Sequence, residues 1–137
     1  MIRVVLDTNL YVSALINGNS RRRLNLVLSN PRFEVITDNA LLSELSVVIF
    51  RPKFVRFVST AQIKDFLKLL SEKSLHFETT SVVRHSPDPK DDFLLALCKD
   101  SSSDYLITGN KRDLLDLKRF GKTEIVTLSQ FLDLYEL

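Results

Sequence analysis

Five short apolar or β-branched runs alternate along the chain with segments of helical periodicity, and this alternation constrains the fold more than any other feature. The runs are Ile2 to Leu6, Phe33 to Ile36, Leu75 to Glu78, Asp104 to Thr108 and Glu124 to Thr127. Between the first two, Leu10 to Leu15 and Arg21 to Leu28 read as helices separated by a break at Gly18-Asn19-Ser20. Thr37-Asp38-Asn39 starts a helix whose Leu41, Leu45, Val48 and Ile49 follow a 3.6-residue period, and Pro52 requires it to end by Arg51. Ser59 to Gln62 has the spacing of a capping box ahead of a helix carrying Ile63, Phe66, Leu67 and Leu70 on one face. After the turn-rich Ser86-Pro87-Asp88-Pro89, Asp91-Asp92 opens a helix that is apolar all round from Phe93 to Cys98. Gly109-Asn110-Lys111 leads to a short helix at Arg112 to Leu117, and Leu128 to Tyr135 forms a closing helix begun by Ser129. Strands alternating with helices indicate an α/β fold around a mainly parallel sheet of about five strands.

At 137 residues, with no repeat and no linker, residues 1–137 are expected to form a single domain with a full hydrophobic core. Nineteen basic against seventeen acidic side chains give a net charge of +2. That is too weak to diagnose a nucleic-acid binder, though local clusters matter more than the sum. Cys98 has no disulfide partner, and no Cys/His cluster is spaced for zinc. Neither a leader-type apolar region nor a membrane-length apolar run is seen, so a soluble, cytoplasmic protein is expected.

In open parallel sheets, ligands sit outside the carboxyl ends of the strands. Asp7 follows the first strand there, and Thr108, Asn110 and Asp113 follow the fourth. Asp92 lies in the first turn of the apolar helix, and Glu44 lies on the edge of the stripe made by Leu41 and Val48. Each has an ordinary structural reading. Asp7 suits a helix cap, Glu44 a surface position, Asp92 a helix N-terminus and Asp113 solvent. Convergence at one rim is what singles them out. Clustered carboxylates repel unless a hard cation holds them ionised, and oxygen ligands favour Mg²⁺ or Mn²⁺. Such an ion suits phosphodiester hydrolysis.

Four segments together resemble the PIN-domain family over essentially the whole chain. They are Val4-Val5-Leu6-Asp7-Thr8-Asn9, Glu44 early in its helix, Asp92 followed by Leu95-Ala96, and Leu106-Ile107-Thr108-Gly109-Asn110-Lys111-Arg112-Asp113-Leu114. Arg51-Pro52-Lys53-Phe54 and Asp88-Pro89-Lys90-Asp91-Asp92 resemble more specifically the VapC-like toxin components of toxin–antitoxin systems. The resemblance implies a three-layer α/β/α fold and an endoribonuclease using Mg²⁺ or Mn²⁺. It further implies a homodimer held inactive by a small cognate antitoxin. Asp7, Glu44 and Asp92 would be metal ligands, with Thr108, Asn110 and Asn9 supporting them. Asn110 stands where many relatives carry aspartate, so the fourth acidic role passes to Asp113. Asp91 competes with Asp92, whose spacing to Leu95-Ala96 fits better.

Arg21, Arg22, Arg23, Lys111 and Arg112 are candidates for RNA phosphate contacts, against the alternative of a solvated charged face. Arg51, Lys53 and Arg56, interleaved with Phe54 and Phe57, form a second basic cluster. A PIN-like module without catalysis is the competing reading, and Asn110 favours it. A phospho-acceptor receiver domain is set aside, because Asp7 is followed by Thr8 and Asn9 rather than by a second acid.

Overall fold

The computed structural model describes residues 1–109 and 111–137. Its sheet has six strands in the order β3-β2-β1-β4-β6-β5. These are β1 (Ile2–Leu6), β2 (Phe33–Thr37), β3 (Leu75–His76), β4 (Tyr105–Thr108), β5 (Arg119–Phe120) and β6 (Thr123–Thr127). All pairings are parallel except β5 with β6. Helices α1 (Thr8–Ile16) and α2 (Gly18–Leu28) connect β1 to β2. Helices α3 (Asn39–Ile49), α4 (Pro52–Val55) and α5 (Thr60–Lys73) connect β2 to β3, and α6 (Asp92–Ser101) leads into β4. Helices α7 (Arg112–Leu115) and α8 (Leu128–Leu134) complete the chain.

The strand order runs outward from β1 through β2 to β3, then reverses to β4 on the other side of β1. Right-handed crossovers therefore carry helices to both faces. The reversal opens a crevice at the carboxyl ends of β1 and β4, where open α/β sheets bind their ligands. Both strands are fully lined by core residues: Val4, Val5, Leu6, Leu106 and Ile107 are buried completely. Strands buried on both faces read as continuous apolar runs, which is why these two were legible.

Several boundaries move for local reasons. The expected helix break at Gly18 to Ser20 is instead at Asn17, whose side chain accepts hydrogen bonds from the Asn19 and Ser20 amides, so α2 starts at Gly18. The Ser59 capping box forms as expected. The last helix is capped by Thr127, with its own box to Gln130, rather than begun by Ser129. The third strand shortens to two residues, after which the chain continues as an extended segment. That segment is tethered by hydrogen bonds from Thr80 and Ser81 to the Asp100 carboxylate. Pro52 ends the preceding run as expected and also starts α4 from its first position. The sixth strand, β5, is a two-residue antiparallel edge. Gly121 turns it back into β6 with φ of 58°, a conformation that suits glycine.

Cys98 is packed in the core, where burial pushes its thiol up to about 12 and leaves it inert at neutral pH. Among the described residues, no helix is long and apolar enough to cross a membrane.

Candidate active site

Asp7 occupies the crevice at the strand reversal. The parallel register pairs Leu6 with Ile107, so the next residues along, Asp7 and Thr108, face each other across β1 and β4. The Asp7 amide donates to the Ile107 carbonyl at 2.9 Å, which fixes the backbone. The Thr108 hydroxyl donates to Asp7 Oδ2 at 2.8 Å, which fixes the carboxylate. Asp7 stands at the N-cap position of α1, yet its side chain makes no capping hydrogen bond. The cap position is used, but the carboxylate is directed elsewhere.

The Asp7 side chain is only 1% exposed, and among the described residues its Oδ1 has no hydrogen-bond partner. A buried acceptor left in this state costs about 1–3 kcal/mol. Burial pushes the Asp7 carboxyl above its ordinary value, the Lys111 ammonium and Thr108 hydroxyl pull it down, and the neighbouring Asp91 carboxylate pushes it up again. The nearby Asn9 amide acts to lower it, though too poorly placed for a capping hydrogen bond. Asp7 lines a cavity of about 210 Å³ together with Thr8, Asn9, Glu44, Arg51, Asp88, Lys90 and Lys111.

Asp91 is the second buried acid here. It is 2% exposed and accepts a hydrogen bond at 2.6 Å from Lys111 Nζ. It is the last residue of a short 3₁₀ turn, Pro89–Asp91, whose start is capped by the Asp88 side chain on the Lys90 amide. Lys111, in the turn after β4, forms a wall of the Asp7 cavity and of an adjoining cavity lined by Asp88, Asp91, Arg112 and Asp113. Its partial burial acts to lower its pKa, but the bond to Asp91 and the charges of Asp7, Asp91 and Asp88 outweigh this and raise it.

The structure does not bring Asp92 to Asp7. One residue along a helix turns the side chain by roughly 100°. Asp92 accordingly accepts the His85 and Ser86 amides and lines a different cavity, together with the buried N-cap Asp38. Glu44 is solvent-exposed rather than at the edge of the core, but it does line the Asp7 cavity, as does the exposed Asn9. Asp113 is exposed and lines only the adjoining cavity. The expectation for Asn110 lies outside the described residues.

The basic residues also separate. Arg21 turns back to hydrogen-bond the Ala14 and Leu15 carbonyls at the end of α1, a structural role. Arg22 stays exposed beside Asn19, and Arg23 donates to Ser129 near the rim. Arg112 lines the cavity of Asp113. Arg51 and Lys90 line the Asp7 cavity, and no residue pattern foretold the placement of Lys90.

Among the described residues, no three His, Cys, Asp or Glu side chains converge closely enough to cage a metal. The donors present nevertheless fit a hydrated hard cation. Mg²⁺ keeps several waters and needs only one or two protein carboxylates beside substrate phosphates. Asp7 offers an unpaired buried oxygen, and Asp91 is a second buried carboxylate close enough to raise its pKa.

Residues 3–112 match the PIN domain family. The chain belongs to that family. PIN domains are generally nucleases and generally use divalent metals. The fold of this PIN domain is similar to a chain in the crystal structure of VapBC2 from Rickettsia felis bound to a DNA fragment from their promoter. The two share a TM-score of 0.61 and 14% identity, over 92% of this chain and 98% of that one. At that identity the similarity is one of fold. No curated protein matches the sequence.

Proposed function

We propose that residues 1–137 form one endoribonuclease domain that hydrolyses RNA phosphodiester bonds with Mg²⁺ or Mn²⁺. The observation that carries this reading is the buried Asp7 carboxylate, oriented by Thr108 and left with one oxygen unpaired at the strand reversal. Asp7 and Asp91 would hold the ion, with Glu44 and Asp113 on the walls of the two adjoining cavities. When bound, such an ion activates water and neutralises charge on the scissile phosphodiester. The chain itself orients Asp7 through Thr108 and keeps it from bulk water. Arg51, Lys90 and Lys111 offer cations for the flanking phosphates. Asp92 acts as a positioning residue, holding the 85–86 connector ahead of Asp91.

The same proposal places the protein in the cytoplasm as the toxin of a toxin–antitoxin pair. The sequence segments shared with toxin components and the likeness of fold to VapBC2 support this. A homodimer is included, because Val47, Phe50, Val55 and Phe57 expose apolar surface on and next to α3 and α4. A non-catalytic binding module is the second reading, favoured by the absence of a three-carboxylate cage among the described residues.

The deciding experiment compares wild type with Asp7→Asn on mixed cellular RNA in Mg²⁺ and in Mn²⁺. Wild type should cleave, and the variant should lose roughly 10²- to 10³-fold in rate, the size of effect seen when an electrostatic catalytic group is removed. RNA bound but left intact by both proteins would establish the binding module instead.

A further inference from the structure

We infer that Lys111 is an internal counter-cation of the metal site, seated on Asp91 beside Asp7 in the metal-free protein and displaced when a divalent ion binds. The inference rests on the reading of Asp7 and Asp91 as the ion's ligands. Lys111 Nζ lies 2.6 Å from Asp91 Oδ1, on a carboxylate that is 2% exposed. The same side chain walls both the Asp7 cavity and the Asp91 cavity, so it stands where the two acids would share a cation.

Asp91 lies near enough for its charge to act on Asp7, and positive charge set between two buried carboxylates offsets their repulsion. A lysine ammonium supplies that charge as a compact point on a flexible stem. It does so incompletely, since among the described residues nothing pairs with Asp7 Oδ1. A divalent ion would satisfy that oxygen and bring twice the charge, and an ammonium left beside it would be repelled. The lysine side chain is 34% exposed, which gives it an open path outward. Metal and ammonium are therefore alternatives at this site. Lys111 then sets the metal affinity and keeps the acidic pair folded without metal.

Mn²⁺ binding should be measured by calorimetry, without RNA, on wild type, Lys111→Met and Asp7→Asn. Lys111→Met should bind Mn²⁺ roughly three- to tenfold more tightly than wild type, the size of a lost competition with a partly exposed ion pair. Its melting temperature without metal should also fall. Affinity that is unchanged or weaker in Lys111→Met, while Asp7→Asn abolishes binding, overturns this inference and leaves the metal site standing. Equal Mn²⁺ affinity in wild type and Asp7→Asn overturns both. Should Lys111→Met fail to fold, wild type with ¹⁵N-lysine provides the second measurement. The Lys111 ammonium resonance, protected by Asp91 in metal-free protein, should be lost to exchange on saturation with Mg²⁺. Its persistence unchanged overturns the inference.

Discussion

Two cavities flank the start of α6, and each contains a buried aspartate. The larger, about 620 Å³, has Asp38 and Asp92 on its walls. Asp38 accepts from the Leu41 amide and the Thr79 hydroxyl, and Asp92 accepts from two connector amides. The smaller, about 210 Å³, has Asp7, whose Oδ1 accepts from no described residue. Volume alone would point to the cavity of Asp38 and Asp92. A carboxylate whose acceptors are filled by backbone amides holds structure together, whereas one buried with an acceptor open can take a ligand. Asp91 and Asp92 sharpen the contrast, because adjacent residues of the same type serve opposite ends.

The strongest way to break that comparison is to exchange the roles of these two neighbours. Asp91→Asn should lower RNA cleavage by roughly 100-fold, while Asp92→Asn should lower it by less than about fivefold. Asp92→Ala should instead cost about 1–3 kcal/mol of stability by freeing two amides, read from chemical denaturation. Equal loss of cleavage in Asp91→Asn and Asp92→Asn would erase the distinction between the two sites.

A smaller effect is expected at Thr108. Thr108→Val keeps the shape but removes the bond to Asp7 Oδ2, leaving both carboxylate oxygens unpaired. A neutral-type hydrogen bond contributes about 0.5–1.5 kcal/mol net and one to a charged group about 1.5–3 kcal/mol. A loss near the boundary of the two, about 1.5 kcal/mol, should lower single-turnover cleavage about tenfold. A variant as fast as wild type would show that Asp7 needs no orienting group.

The smallest effect is in the pH dependence of stability without metal. Asp7 has a raised pKa in the folded protein, so the folded state binds more protons than the unfolded state above the ordinary aspartate value. Its contribution therefore weakens as pH rises from that value through the folded one. Asp100 is the opposite case. Hydrogen bonds from the Ser81 hydroxyl and amide, and from Thr80, lower its pKa, so its stabilisation is lost as pH falls through the folded value. Melting curves of Asp7→Asn and Asp100→Asn against wild type should thus diverge with opposite slopes in the acid range. Slopes of the same sign would contradict the assignment of one carboxylate as frustrated and the other as satisfied.

Much of this arrangement was legible in the residues. The inner parts of β1 and β4, Val4 to Leu6 and Leu106 to Ile107, are apolar because both faces are covered there, and a polar residue, Asp7 or Thr108, follows each at the crevice. Asp7 and Thr108 could thus be placed on one rim from pattern alone. The choice between Asp91 and Asp92 could not be made this way. Leu94, Leu95, Ala96, Leu97 and Cys98 are all buried, so α6 has no polar stripe from which to read its rotation. The two-residue β5 was equally silent, being too short to show any period and dependent on β6 for its hydrogen bonds.

By itself, then, the sequence determined the alternation of strands and helices, the family, and the strand-end position of Asp7, because these depend on local periodicity and on which residues can end a buried strand. Packing between distant segments set the charge of Asp91 near Asp7, tied Asp92 to the connector and seated Lys111 on Asp91. Those relations depend on the rotation of α6 and on how the turn after β4 packs against it. Residues twenty positions apart are brought together there by a balance of burial and charge that no single segment encodes.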